Sequence, residues 1–201
     1  MKNVFKNSKG QWLKGRALGG AIMEQGVLAF NQMRAQHPEW PIVLENTDLS
    51  KQILRGINLQ HAYLGHIRLV GADLTNSNLS HAILYYADMK EVHLVNSCLR
   101  EADLMEANLS RALLNQCDLT QCDIRYANLY NANLQGADVR WALFEGADLR
   151  RANLSGIDAS EGTNFDEADL EYAIFTGADL RRVDFSMTNV TPMQLMNAIT
   201  R

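Results

Sequence analysis

Cysteine, proline and aromatic residues are all scarce in this chain of 201 residues, which has three cysteines, three prolines and 7% aromatics. The cysteines form no CxxC pair, and this argues against both a disulfide framework and a cysteine-rich zinc site. No apolar run approaches the roughly 20 residues that a membrane-spanning helix needs. The formal net charge of −4 argues against a generally basic nucleic-acid-binding protein. We therefore expect a soluble, cytoplasmic protein with no membrane association.

A period of five residues organises most of the chain. Every fifth residue from Leu44 to Ala159 is apolar, and after a one-residue slip at 160–163 the pattern resumes at Phe165 and ends at Val190. The residue two places before each apolar centre is usually alanine or another small or apolar residue, and the residue between them is most often Asp or Asn. Because a helix repeats every ~3.6 residues and a strand every ~2, neither period accounts for the pattern.

The pattern is explained if each pentapeptide forms one side of a square coil with about 20 residues per turn. The large centre and the small residue two places before it then point inward, and the other three residues face solvent. Successive coils would stack at the ~4.8 Å spacing of paired strands, so that about eight coils form a rod. The predicted core includes these side chains: Leu74, Leu79, Leu84, Leu104, Leu109, Leu129, Leu149, Phe144, Phe175, Ala102, Ala107, Ala132 and Ala147.

The tripeptide Ala72-Asp73-Leu74 is one example of an A(D/N)LXX repeat that is sustained over residues 42–190. This repeat resembles that of the pentapeptide-repeat family, whose fold is a right-handed quadrilateral β-helix. The resemblance implies an all-β solenoid for about three quarters of the chain. The slip at 160–163 then reads as a bulge at a corner of the coil.

The two ends of such a rod need caps, because an open solenoid exposes apolar side chains and backbone groups there. We expect residues 1–15 to be a flexible arm and residues 16–41 to form an N-terminal capping helix and lead-in. Within the latter, residues 24–34 are similar to the lead-in helix of many cyanobacterial members of the family. Thr191-Pro192 predicts the start of a short capping helix, which places a C-terminal cap at 191–201.

Tyrosines supply the best candidate for a binding surface. Tyr63, Tyr85, Tyr86 and Tyr126 are expected on one face of the rod, and Trp141 is expected to be exposed on another. Clustered tyrosines favour a protein-interaction patch, because aromatic residues dominate the binding energy of many interfaces. Stacking of the rings between successive coils is an equally simple structural reason for the same pattern.

No residues stand out as a catalytic, cofactor-binding or metal site. His61 and His81 should stack on adjacent coils, but two imidazoles are too few for a structural zinc site and are more simply read as surface residues. Cys117 and Cys122 fill alanine-sized inward positions, and Cys98 lies outward with no His–Asp arrangement expected beside it. The sequence also lacks a nucleophile elbow, a glycine-rich phosphate loop and an HExxH motif. We therefore do not expect an enzyme.

The leading interpretation is a non-enzymatic scaffold that binds an unidentified protein partner, as a monomer or weak dimer, without direct nucleic-acid binding. One alternative comes from the resemblance, because the best-known members of the family bind and protect DNA gyrase as acidic mimics of duplex DNA. Residues 42–190 carry 12 bases and 21 acids, a net charge of −9 that keeps this alternative open, although 12 of the acids are the Asp of the repeat itself. A second alternative is a secreted bacterial effector that uses residues 1–15 as an export arm.

The predicted coil can be tested by placing a charged residue in its apolar column. Leu104→Asp should lower the free energy of unfolding by more than about 4 kcal/mol, because it places an unpaired charge in the apolar column. A thermal melt followed by circular dichroism measures this loss. A soluble variant that still unfolds cooperatively near the wild-type temperature would contradict the coil.

Overall fold

The computed structural model describes residues 4–200, in which two helices flank a four-sided coil. Helix α1 is Gly15–Gln36 and helix α2 is Pro192–Leu195. The coil between them is held by parallel bridges of one residue each, and no extended strand occurs in the part of the chain that the structure describes. The expected solenoid is therefore a stack of short-sided turns joined by isolated bridges.

The register of the bridges fixes the length of each turn. Val43 pairs with Tyr63 and Tyr63 with Ile83, a spacing of 20 residues that continues through most of the rod. Across the slip at 160–163 the spacing becomes 21, as in the pair Leu143 and Asn164. The extra residue is thus absorbed in one turn without interrupting the stack.

We number the four faces in chain order and assign to each face the two-residue corner that follows it. Face 1 is centred on Leu44 and its equivalents one coil apart, face 2 on Leu49, face 3 on Leu54 and face 4 on Leu59. Coil 1 begins at residue 42, coil 2 at 62, coil 3 at 82 and so on, and coil 8 is incomplete.

Two inward columns on each face form the core. The thirteen side chains predicted to lie there are all at most 1% exposed. On face 1 the leucine column gives way to phenylalanine, and Phe144 and Phe165 stack with ring centroids 5.0 Å apart and an angle of 11°. Small residues alternate with these large ones because only a short side chain fits beside the stacked column.

Each corner from residue 46 to residue 182 is a β-turn with a left-handed second residue. In one example, Ser77 N–H donates to the Leu74 carbonyl at 3.1 Å, and Asn76 between them has φ 60°. A positive φ at the second central position alone defines a type II turn. Twenty-one non-glycine residues adopt φ between 54° and 69°, and all of them lie at this corner position. The stack therefore imposes a conformation that single non-glycine residues seldom adopt.

The Asp or Asn of the repeat completes the hydrogen bonding of the backbone. In residues 132–136, four of the five amides donate to backbone carbonyls of a turn or of an adjacent coil at 2.8–2.9 Å. The fifth, Gln135 N–H, donates to Asn133 Oδ1 at 3.1 Å. The same side-chain acceptor serves the amide two residues later in 18 repeats. This is an Asx turn, and it explains why Asp or Asn precedes the centre.

Helix α1 covers the first coil. Gly19 lies against Thr47 so closely that a Cβ would stand 2.8 Å from Thr47 Cγ2. Asn31 supplies the contacts that a further coil would make, because its Nδ2 donates to the Gly56 carbonyl at 2.8 Å and its Oδ1 accepts from Asn58 N–H at 2.9 Å. The exposed backbone edge of coil 1 is thereby satisfied in part by one amide side chain.

The N-terminal segment differs from the expected flexible arm. Residues 4–13 fold back as a hairpin in which Lys6 and Trp12 form an antiparallel bridge. Phe5 is 1% exposed and lies 6.0 Å from Phe30 and 5.6 Å from Trp40 between ring centroids. Burial of this aromatic cluster holds the segment against α1. Residues 1–3 lie outside the described part of the chain.

The C-terminal capping helix begins at Pro192 and is short. Helix α2 has four residues and begins with a capping box, in which Thr191 Oγ1 accepts from Gln194 N–H. Gln194 Nε2 then donates to the carbonyls of Leu170 and Ala173 at 2.8 and 3.0 Å, which occupies carbonyls of the last complete coil. After α2 the chain adds one more bridge, between Asp179 and Ile199.

The role of the Asx turn can be tested on face 3, where no charged side chain adjoins the site. Asn133→Ala removes the acceptor of Gln135 N–H and should cost about 1 kcal/mol in the free energy of unfolding. Asn133→Asp keeps the acceptor and is the matched control, so it should stay close to wild type. Urea unfolding measures both. Equal stability of the alanine variant and the wild type would contradict the proposed role of the side chain.

Candidate protein-interaction face

Three of the predicted tyrosines lie together on face 1. Tyr63, Tyr85 and Tyr86 occupy coils 2 and 3, and Tyr63 and Tyr86 are 44% and 46% exposed. His66 joins them, because its ring stacks on Tyr86 at 5.2 Å and 5° and meets Tyr85 edge-on at 5.4 Å. Ile83 forms a parallel bridge with Tyr63. We call these five residues the aromatic patch: Tyr63, His66, Ile83, Tyr85 and Tyr86.

The other two predicted residues flank the same face farther along the rod. Tyr126 lies in the corner that follows face 1 in coil 5, and Trp141 lies in the corner just before face 1 of coil 6. Trp141 belongs to the corner of face 4, and its ring lies over Gly162 at the same corner of the next coil. Both rings are more than half exposed.

Several of these rings are packed against the backbone of a neighbouring coil. Tyr85 lies over Gly65, where an added Cβ would stand 2.6 Å from Cζ of the ring, and Tyr126 lies over Gly146 at an equally short distance. Tyr86 Oη donates to Glu106 Oε1 at 2.7 Å, and Tyr126 Oη donates to Glu145 Oε1 at 3.1 Å. Ring contacts between coils and an exposed aromatic surface therefore coexist at the same residues.

The net charge of the rod is concentrated on face 1. This face and its following corner carry eight acids and one base, a formal charge of −7. Face 2 has six acids and six bases, face 3 one acid and one base, and face 4 six acids and four bases. Faces 2 and 3 are thus neutral and face 4 carries −2. Sequence reasoning gave −9 for the whole rod and did not separate the faces.

The negative potential of face 1 acts on its tyrosines. The hydrogen bond to Glu106 and the charge of this carboxylate raise the pKa of Tyr86 above its ordinary value. Glu145 raises the pKa of Tyr126 in the same way, with a smaller contribution from the charge of Glu167. In both cases the carboxylate stabilises the protonated phenol and repels the phenolate.

The histidines and cysteines considered as alternative sites do not form one. His61 and His81 stack at 4.6 Å and 12°, and His81 Nδ1 lies 3.3 Å from Glu101 Oε2. Within residues 4–200 no group of three or more His, Cys, Asp and Glu residues is arranged to hold a metal ion. Cys117 donates its S–H to the Leu94 carbonyl at 2.8 Å, and burial raises its pKa to about 12. This thiol is therefore not a nucleophile at neutral pH.

The fold and its repeat can be compared with known proteins. The family model for pentapeptide repeats matches eight copies over residues 62–104, 102–140, 127–161 and 161–186. The chain belongs to the pentapeptide-repeat family. No protein of curated function matches it in sequence.

Two solved structures illustrate the similarity. HetL, a pentapeptide-repeat protein involved in the regulation of heterocyst differentiation in the cyanobacterium Nostoc sp. strain PCC 7120, is 30% identical, with a TM-score of 0.51 over 72% of this chain and 77% of HetL. A trypsin-treated variant of QnrB1, a plasmid-mediated fluoroquinolone resistance protein, is 21% identical, with a TM-score of 0.51 over 76% of this chain and 81% of that one. The second likeness concerns the fold alone.

Among residues 4–200, no helix is both long enough and apolar enough to cross a membrane.

The contact between Tyr86 and Glu106 makes a testable prediction about titration. Glu106→Gln should lower the pKa of Tyr86, because the negative charge that opposes phenolate formation is lost. NMR of tyrosine labelled at Cζ resolves the titration of each ring. Glu145→Gln is the matched control and should lower the pKa of Tyr126 while leaving Tyr86 unchanged. An unaltered Tyr86 titration in Glu106→Gln would show that the two side chains are not paired in solution.

Proposed function

We propose that this protein is a non-enzymatic scaffold of the cytoplasm that recognises a partner protein through face 1. The observation that carries the proposal is the coincidence, on one of four faces, of the aromatic patch and most of the net charge of the rod. Faces 2 and 3 are neutral, and the aromatic patch on face 1 contains rings of the type that dominate binding energy at interfaces. The three free cysteines agree with a reducing compartment.

The regular coil also supports a role in binding. Its four faces are built from pentapeptides with no long loop between residues 42 and 190, and the described residues bring together no cluster of metal-ligating groups. A rod of stacked coils instead offers a stiff, extended surface, which is the usual basis of recognition by repeat proteins.

The test of this proposal is a pair of substitutions on face 1. Tyr63→Ala combined with Tyr86→Ala should abolish co-purification of a specific partner from cell extract while lowering the free energy of unfolding by less than about 1 kcal/mol. We choose Tyr63 and Tyr86 because both are exposed, whereas Tyr85 covers Gly65. Tyr172→Ala is the control, since Tyr172 is 66% exposed on the corner of face 2.

Two outcomes would contradict the proposal. A large fall in melting temperature for the double variant would show that the rings are needed for stability, as in the stacking interpretation. Nanomolar protection of purified DNA gyrase by the wild-type protein would instead favour the DNA-mimic interpretation over the scaffold.

A further inference from the structure

Seven of the eight carboxylates of face 1 have no cationic partner among the described residues, although Glu106 and Glu145 accept hydrogen bonds from Tyr86 and Tyr126. Of its eight acids, only Asp123 lies within 4 Å of a cationic nitrogen in residues 4–200, where it pairs with Arg125 at 2.6 Å. We call the other seven acids of this face unpaired because none has a cationic nitrogen within 4 Å: Glu45, Asp103, Glu106, Glu145, Asp166, Glu167 and Asp184.

On faces 2 and 4, by contrast, arginine side chains form ion pairs with many of the acids. Arg150 lies 2.7 Å from Asp148 and 3.5 Å from Asp169 on the next coil. Arg140 likewise bridges Asp138 and Asp158 at 2.5 and 3.4 Å. Arginines therefore neutralise acids within and between coils on those faces, and no such ladder exists on face 1 among the described residues.

Face 1 is also ordered along the axis of the rod. The aromatic patch occupies coils 2 and 3, and six of the seven unpaired acids occupy coils 4–8. A distance of about 29 Å separates coil 2 from coil 8 at ~4.8 Å per coil, which an extended chain of about nine residues would span. The face thus presents an apolar stretch over coils 2 and 3, followed by a longer anionic stretch over coils 4–8.

We propose that face 1 binds a segment of its partner in which an apolar stretch is joined to a lysine- and arginine-rich stretch, laid along the axis of the rod. This inference rests on the scaffold function and names the chemistry of the partner. The apolar part would cover Tyr63, Ile83 and Tyr86, and the cationic part would pair with the unpaired acids. Complementary charge of this kind directs a partner and fixes its register.

The concentration of charge on one face also separates this binding mode from mimicry of duplex DNA. A duplex presents phosphates around its whole circumference, whereas faces 2 and 3 of this rod are neutral. A basic segment that lies along one face matches this distribution of charge. A broad DNA-binding cleft that surrounds the rod does not match it.

The test measures binding of a fluorescent peptide of about ten residues, long enough to cover the face when extended. One half of the peptide contains leucine and tryptophan and the other half is lysine-rich. Glu145→Gln with Glu167→Gln should weaken its binding at low salt by about tenfold, because both carboxylates lie on the anionic stretch. Neither side chain is an Asx acceptor, so the coil is retained.

The matched control is Glu161→Gln with Glu171→Gln. These two acids are also unpaired and lie in coils 6 and 7, as Glu145 and Glu167 do, but they belong to faces 4 and 2. The control changes the net charge of the protein by the same amount, and we expect it to alter the affinity by less than about twofold. Tyr63→Ala with Tyr86→Ala should remove the advantage of this peptide over plain decalysine.

The outcomes distinguish the two proposals. Equal weakening by both glutamine pairs, or no binding of the peptide to the wild-type protein, would overturn the basic-segment inference. If the tyrosine variant still loses its partner from cell extract in that case, the scaffold function stands and only the chemistry assigned to the partner is wrong.

Discussion

Each backbone amide of the coil needs an acceptor, and the geometry of the five-residue side leaves one amide per repeat without a backbone carbonyl as its partner. Four amides per repeat use turns and neighbouring coils, and the amide after the centre uses the Asp or Asn before it. An apolar residue at that position leaves the amide to solvent, which is tolerated only at an exposed corner. The A(D/N)LXX pattern is therefore a hydrogen-bonding requirement as much as a packing rule.

This requirement divides the charges of the rod into two kinds. The first kind is used by the coil: Asp148 accepts from the Arg150 amide at 3.1 Å and from its guanidinium at 2.8 Å. The hydrogen bond to the Arg150 side chain lowers the pKa of Asp148 in spite of opposing desolvation. The second kind accepts no hydrogen bond from the backbone of the coil, and the glutamates that follow the centres of face 1 belong to it. Net charge alone does not separate the two, because the distinction depends on position within the repeat.

The period of five was sufficient to predict the coil, the two inward columns and the shared face of Tyr63, Tyr85, Tyr86 and Tyr126, because each follows from register alone. The buried position of Phe5 was not predictable in this way. Its contacts with Phe30 and Trp40 join residues far apart in the sequence, and no periodic pattern marks a segment that folds back over a helix.

Trp141 illustrates what register does fix. Counting by fives assigns it to the corner that follows Val139 on face 4, and its ring lies over Gly162 at the same corner of the next coil. The net charge of each face can also be counted from the sequence. Its significance depends on the ion pairs of faces 2 and 4, because these show which acids are neutralised inside the molecule.

The sequence left open whether the tyrosines bind a partner or stabilise the stack, and the geometry is compatible with both interpretations. Tyr86 is stacked on His66 and donates to Glu106, yet nearly half of its surface remains exposed. A ring fixed in this way loses little conformational entropy when a partner covers it, and such preorganisation favours affinity. Contacts between coils therefore hold this ring in the position that the proposed recognition of a partner requires.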